Sequence, residues 1–172
     1  MLHIIAYTDG SCDLRSRTGG WGVYSYFVTA SGCKVEMEDY GGYRGATSSG
    51  EAEVLAVLRL LQTVPDGSTV EVMCDNEYCT KSLVGKSGER LYERATGYMK
   101  GWNIRAGTKK SGEPLKNAKL WRHVDVELAR LFSTGGTLTV YWVRGHSGDE
   151  GNDRADKLAT LGRRSLIRSD KS

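Results

Sequence analysis

Two short apolar runs of this chain lead into an aspartate: HIIAYT into Asp9 and TVEVMC into Asp75. Taken alone, Asp9-Gly10 suits a tight hairpin turn equally well, because Asp-Gly between apolar runs is strong turn chemistry. What turns the pair towards catalysis is the presence of further acids. Crowded carboxylates repel one another and resist ionising together unless a divalent cation neutralises them. Oxygen ligands with no thiolate or histidine beside them suit Mg²⁺ or Mn²⁺ better than zinc. Two more acids fall at helix starts, Glu51 or Glu53 in one and Asp153 or Asp156 in the other. Acids in a first helical turn are also an ordinary response to the helix dipole. Residues 51 and 53 lie about 200° apart around a helix, so they cannot both face one site. Asp156 adjoins the small apolar stripe of Ala155 and Ala159 while Asp153 points away from it, which favours Asp156.

Acids so far apart in sequence need a framework to bring them together. Residues 2–9, 21–30 and 33–40 read as three antiparallel strands, the last two joined at Ser31-Gly32. SSGEAEVLAVLRLLQTVPDGS reads as a helix, with Val54, Val57, Leu58 and Leu61 at helical spacing and Pro65-Asp66-Gly67 ending it. Residues 69–75 read as a strand. The stretch 76–100 is expected to be helical in one or two pieces, broken near Gly85 to Gly88, and 101–117 to be an exposed loop among lysines and arginines. A helix over 118–132, a strand over 137–143 and a last helix with Ala155, Leu158, Ala159 and Gly162 on one face complete the pattern. Residues 163–172 read as a flexible basic tail. This order implies an α/β fold with a mixed sheet flanked by helices.

A chain of 172 residues with 39% hydrophobic and 26% charged residues suits one domain with one core. It carries no apolar run long enough for a membrane span, and MLHIIAYTDG lacks the features of a signal peptide, so the expected compartment is the cytoplasm. Cysteines 12, 33, 74 and 79 form no C-x-x-C pair and read as free thiols in a reducing compartment. Charge is unevenly spread. Residues 1–80 carry 5 Lys and Arg against 11 Asp and Glu, whereas residues 81–123 carry 11 against 3. A basic middle interleaved with aromatics, joined to an acidic front, suits a nucleic acid held beside a carboxylate site.

Five segments, taken in order, resemble the type 1 ribonucleases H: YTDGSC at 7–12, TSSGEAEVLAV at 47–57, VEVMCDNEYC at 70–79, GWNIRAGTKKSGEPLKNAKLW at 101–121, and VYWVRGHSGDEGNDRADKLA at 140–159. The resemblance implies a ribonuclease H-like fold with a five-stranded mixed sheet, three strands antiparallel and two parallel. It implies a single catalytic domain over 1–162, with a basic protrusion at about 98–117. The implied site is Asp9, Glu53, Asp75 and Asp156 around two Mg²⁺ ions, with Mn²⁺ as a substitute, and His146 matches the family's mobile histidine. The implied enzyme is a monomeric endonuclease that cuts the RNA strand of RNA–DNA hybrids and leaves 5′-phosphate and 3′-hydroxyl ends. Ser48 and Ser49 correspond to residues that read the 2′-hydroxyl. Trp102, Arg105, Lys109, Lys110 and Lys116 correspond to the protrusion that grips DNA phosphates, and Thr47, Asn76 and Asn117 to further nucleic-acid contacts. Two departures stand out. The usual spacing from Thr47 to the family's glutamate lands on Ala52, which leaves Glu51 as the alternative to Glu53, and DLRSRTGG is charged where the family has a Gly-, Asn- and Pro-rich turn, so Arg15 or Arg17 takes over the contact there. The rival readings are a DNA nuclease of the same fold and a catalytically silent hybrid-binding module.

Overall fold

The first apolar run does not stop at Asp9. In the computed structural model, which describes residues 1–169, strand β1 runs His3–Asp13 and pairs antiparallel with β2 (Thr18–Val28), with Asp9 opposite Gly22. Asp9-Gly10 is therefore not the hairpin turn. The chain reverses further on, where Asp13 Oδ1 accepts from the Arg15 N–H at 3.0 Å and Arg17 takes a left-handed φ of 52°. On the far side of β2 lies β3 (Lys34–Arg44), also antiparallel. On the other side of β1 lies β4 (Thr69–Cys74), parallel, and its pairing with β1 ends at Thr8 and Cys74. Asp9 and Asp75 thus sit one residue past the last rung between two parallel strands that part there. Strand β6 (Thr137–Trp142) follows, parallel to β4.

The sheet has six strands, not the expected five, in the order β3-β2-β1-β4-β6-β5. The extra strand, β5 (Glu89–Leu91), lies within the stretch expected to be helical and pairs antiparallel with β6. Only α2 (Glu77–Leu83) and a 3₁₀ turn at Tyr98–Gly101 are helical there. Val84 is extended, and Gly88, at φ 84°, donates its N–H to Val140 O at 2.7 Å, which starts the pairing. Three residues are too few to show a strand's alternation in sequence.

Three longer helices cover the sheet. Helix α1 (Ser49–Thr63) and α3 (Ala118–Ser133) bury Val54, Val57, Leu61, Trp121, Val124 and Leu131 in one core with Ile4, Val70, Val72 and Leu138 of the strands. Each such aliphatic side chain contributes about 1.5–3 kcal/mol when fully buried. Trp121 is buried without an orphaned donor, because its Nε1–H reaches Tyr78 Oη at 2.8 Å. Helix α4 (Glu150–Ser169) packs on β1, β2 and β3. Its approach depends on glycine: a Cβ on Gly20, Gly22 or Gly42 would collide with the α4 backbone at Ala159, Ala155 and Gly162 respectively. This accounts for the Ala155, Ala159 and Gly162 stripe.

The tail expected from residue 163 instead continues α4 to Ser169, and residues 170–172 lie outside the described residues. The continuation has partners. Arg163 Nε donates to Ser11 Oγ at 2.9 Å, and Arg44 Nη2 donates to Leu166 O at 3.3 Å. The basic segment before α3 is irregular but folded on itself, with bridges Asn103–Thr108 and Thr108–Pro114 and with Leu115 buried. No helix among the described residues is long and apolar enough to cross a membrane.

Candidate active site

Where β1 and β4 part, Asp9, Glu53 and Asp75 each place a carboxylate oxygen within 4.8 Å of the others. Asp9 and Glu53 are 5% and 6% exposed, and Asp75 is half-buried. Gly10 makes the meeting possible, since a Cβ there would lie 2.6 Å from the Glu53 N, so only glycine lets α1 come this close to β1. The helix entry sends the two glutamates in different directions. Ser48 caps α1 by accepting from the Glu51 N–H at 3.3 Å, while Glu51 Oε2 turns back to accept from Thr47 Oγ1 at 2.6 Å and Thr47 N at 3.1 Å. Glu51 thus serves the helix terminus in the manner of a capping box, and Glu53 joins the aspartates.

The electrostatics of the cluster are those of acids forced together. Burial, then the Asp75 charge, pushes the Asp9 carboxyl up to about 7, with Asp156 adding and hydrogen bonds from Glu53 and the Gly10 N–H opposing. Glu53 is raised well above the carboxylate range, by burial foremost and then by the Cys74 sulfur and the charges of Asp9 and Asp75. Its Oε2 is buried with no hydrogen-bond partner. A buried carboxylate oxygen without a partner, on a residue grouped with two other carboxylates, suits a divalent cation, which would supply the missing partner. Asp156, half-buried on α4, is outside the three-residue group but near enough for its charge to act on Asp9.

Asp75 is held from three directions. Asn152, 2% exposed in the first turn of α4, donates Nδ2–H to Asp75 Oδ2 at 3.3 Å. A Cβ on Gly145 would lie 2.8 Å from the same oxygen. Trp142 Nε1–H donates to the Asp75 main-chain carbonyl at 3.1 Å. For Asn152 a signal did exist, since it stands one helical turn before Asp156 on the same face of α4. His146 lies in the loop after β6, exposed and at a left-handed φ of 54°, one residue beyond Gly145.

Most of the residues expected to touch nucleic acid gather at two hollows, with Arg105 and Asn76 outside both. A hollow of about 590 Å³ between α1 and α3 is lined by Thr47, Glu51, Asn117, Lys119 and His123, with Ser48 and Ser49 at the α1 entry beside it. Asn117 adopts φ 58°, and its Nδ2 is buried with no partner. A second hollow of about 560 Å³ is lined by Tyr78, Tyr98, Trp102, Lys109, Lys110 and Lys116, so four of the five expected protrusion residues line one depression; Arg105 is exposed outside it. Trp102 packs edge-on against Trp121 with centroids 5.4 Å apart, which makes it a packing anchor as well as a wall of the hollow. Asn76 caps α2, its Oδ1 accepting from the Cys79 N–H at 2.9 Å.

A family model described as RNase H matches residues 2–164. A ribonuclease H of Polaromonas naphthalenivorans (strain CJ2) is 36% identical over 160 residues, covering 93% of this chain and 86% of that protein. One of Paracidovorax citrulli (strain AAC00-1) is 35% identical over 163 residues, covering 94% and 95%. One of Methylorubrum extorquens (strain PA1) is 36% identical over 166 residues, and there the match takes in 96% of this chain but 62% of the relative's length. A solved structure of a type 1 RNase H with the type 2 active-site motif superposes with a TM-score of 0.74 at 22% identity, over 96% of this chain and 74% of that one, a likeness of fold. The helix entry that turns Glu53 inward and the sheet that brings it to Asp9 and Asp75 are thus met within a match running almost end to end, and the chain belongs to the RNase H family.

Proposed function

We propose that this chain is an endonuclease that hydrolyses the RNA strand of RNA–DNA hybrids, with Asp9, Glu53, Asp75 and Asp156 holding two Mg²⁺ ions. The observation that carries the reading is the grouping of the Asp9, Glu53 and Asp75 carboxylates within 4.8 Å, with Glu53 Oε2 buried and without a hydrogen-bond partner. When bound there, two such ions would supply an activated water and neutralise charge at the leaving 3′-oxygen, which would leave 5′-phosphate and 3′-hydroxyl ends. The remaining work falls to side chains. Asn152 keeps Asp75 oriented, and the exposed imidazole of His146 takes or returns a proton at the edge of the site. The Ser48 and Ser49 hydroxyls at the α1 entry face the minor groove and read the 2′-hydroxyl, the group that distinguishes RNA from DNA. Thr47, Asn76 and Asn117 contact the sugar-phosphate backbone of the hybrid. Trp102, Arg105, Lys109, Lys110 and Lys116 hold the DNA strand through its phosphates. The chain acts as a monomer, and its four free cysteines suit a reducing cytoplasm.

A silent binding module would gain nothing from buried carboxylates, because negative charge facing phosphate weakens binding. The test is Mg²⁺-dependent cleavage of a labelled hybrid. Asp9→Asn, Glu53→Gln, Asp75→Asn and Asp156→Asn are each expected to lower kcat by about a thousandfold or more, several kcal/mol of transition-state stabilisation. Glu51→Gln is expected to keep near-normal turnover. Loss of activity in Glu51→Gln together with an active Glu53→Gln would show that the wrong glutamate has been chosen.

A further inference from the structure

An exposed tryptophan next to a nucleic-acid site is ordinarily read as a stacking surface. Trp142, 42% exposed at the end of β6, instead has its one hydrogen-bond donor turned inward. The reason lies in the ladder. Parallel pairing of β4 with β6 ends opposite Trp142, where the Val143 N–H donates to Cys74 O at 3.0 Å. The next carbonyl, that of Asp75, lies past the last rung, because the chain turns at Asn76 to cap α2. The Trp142 indole N–H takes that carbonyl at 3.1 Å and so adds one more rung from a side chain. Trp142 is itself fixed, its main-chain N–H donating to Ser87 Oγ at 2.8 Å and its side chain bordering a small hollow with Glu77, Thr80 and Lys81 of α2.

We propose that Trp142 is a positioning residue for the metal-binding carboxylate of Asp75, an inference that rests on reading Asp75 as a metal ligand. Cys74 is held by the ladder and the Asp75 carbonyl by the indole, so the Asp75 Cα is bracketed between two fixed hydrogen bonds. Its carboxylate can then swing only about its own side-chain torsions, and those are limited by Asn152 Nδ2 and by the close approach of Gly145. Without the indole N–H, water can satisfy the carbonyl, but the peptide joining Asp75 to Asn76 is free to rock and the carboxylate with it. Groups that orient a metal ligand from behind typically matter by about 10–100-fold in metal affinity or activity.

The variant that separates this role from stacking or packing is Trp142→Phe, which keeps an aromatic ring and removes the N–H; Trp142→Leu, which also lacks a donor, serves if the phenylalanine variant does not fold. The measurements are Mg²⁺ binding to the substrate-free protein by calorimetry, and kcat and KM on a labelled hybrid, with Asp75→Asn alongside. Expected are Mg²⁺ affinity and kcat lowered by about tenfold, with KM for the hybrid within about twofold of wild type. Wild-type Mg²⁺ affinity and kcat in Trp142→Phe would overturn the proposal, as would a raised KM with kcat unchanged, which would make Trp142 a substrate contact. If Asp75→Asn binds Mg²⁺ as wild type does, the fault lies in the assignment of the metal site. If Asp75→Asn loses the metal while Trp142→Phe keeps it, only the role of Trp142 falls.

Discussion

Folding changes the protonation of Asp9. Its carboxyl is raised from an ordinary 3.8 to about 7, above its value in the unfolded chain. A carboxyl raised on folding contributes stability that is fully present below the unfolded value and is lost as pH climbs through the folded one. The metal-free protein is therefore expected to melt at lower temperature at pH 8 than at pH 5, and Asp9→Asn to flatten that fall by a few degrees, since each kcal/mol is worth about 2–4 °C in a chain of this size. Scanning calorimetry in the presence of a chelator reads this directly, and an unchanged pH slope in Asp9→Asn would count against it. At this scale the sequence was partly legible. Asp9 and Asp75 stand out because acids end apolar runs and Asn152 because it shares a helix face with Asp156, but Gly145 and Trp142 act on Asp75 through contacts that no local pattern announces.

At the scale of elements, the site depends on how closely helices can approach the sheet. Gly10 admits α1 to β1, and Gly20, Gly22 and Gly42 admit α4 to β2 and β3. Gly10→Ala is expected to push α1 outward, lowering stability by about 1–3 kcal/mol and drawing Glu53 away from Asp9. Urea unfolding measures the first effect and Mg²⁺ affinity the second, and loss of stability with the metal site intact would show that Glu53 is placed by something other than this approach. The helices α1, α3 and α4 were readable because long amphipathic stripes and caps repeat their signal over several turns. Strand β5 was not, since three residues carry no period, and the end of α4 was misjudged because Arg163 and Leu166 gain their partners, Ser11 and Arg44, only in the folded state. The extension of β1 past Asp9 was hidden by turn chemistry at Asp9-Gly10 that the fold uses for close approach instead.

Over the whole molecule, an acidic front and a basic middle become two neighbouring surfaces, one gathering carboxylates and the other lining a hollow with Lys109, Lys110 and Lys116. Changing those three lysines to alanine is expected to weaken hybrid binding mainly at low salt. The slope of log affinity against log salt should flatten by about 0.7–0.9 for each phosphate that is no longer neutralised, and an unchanged slope would place the DNA strand elsewhere. The mixed α/β architecture was visible from the order of elements alone, whereas the substrate was not, because one fold supports several nucleases. The most direct measurement is thus cleavage, in Mg²⁺, of end-labelled RNA–DNA hybrid, RNA duplex and DNA duplex of one sequence by the unmodified chain. Cutting confined to the RNA strand of the hybrid, with 5′-phosphate ends, is the expected result; preferential cutting of the DNA duplex, or an intact hybrid, would contradict it.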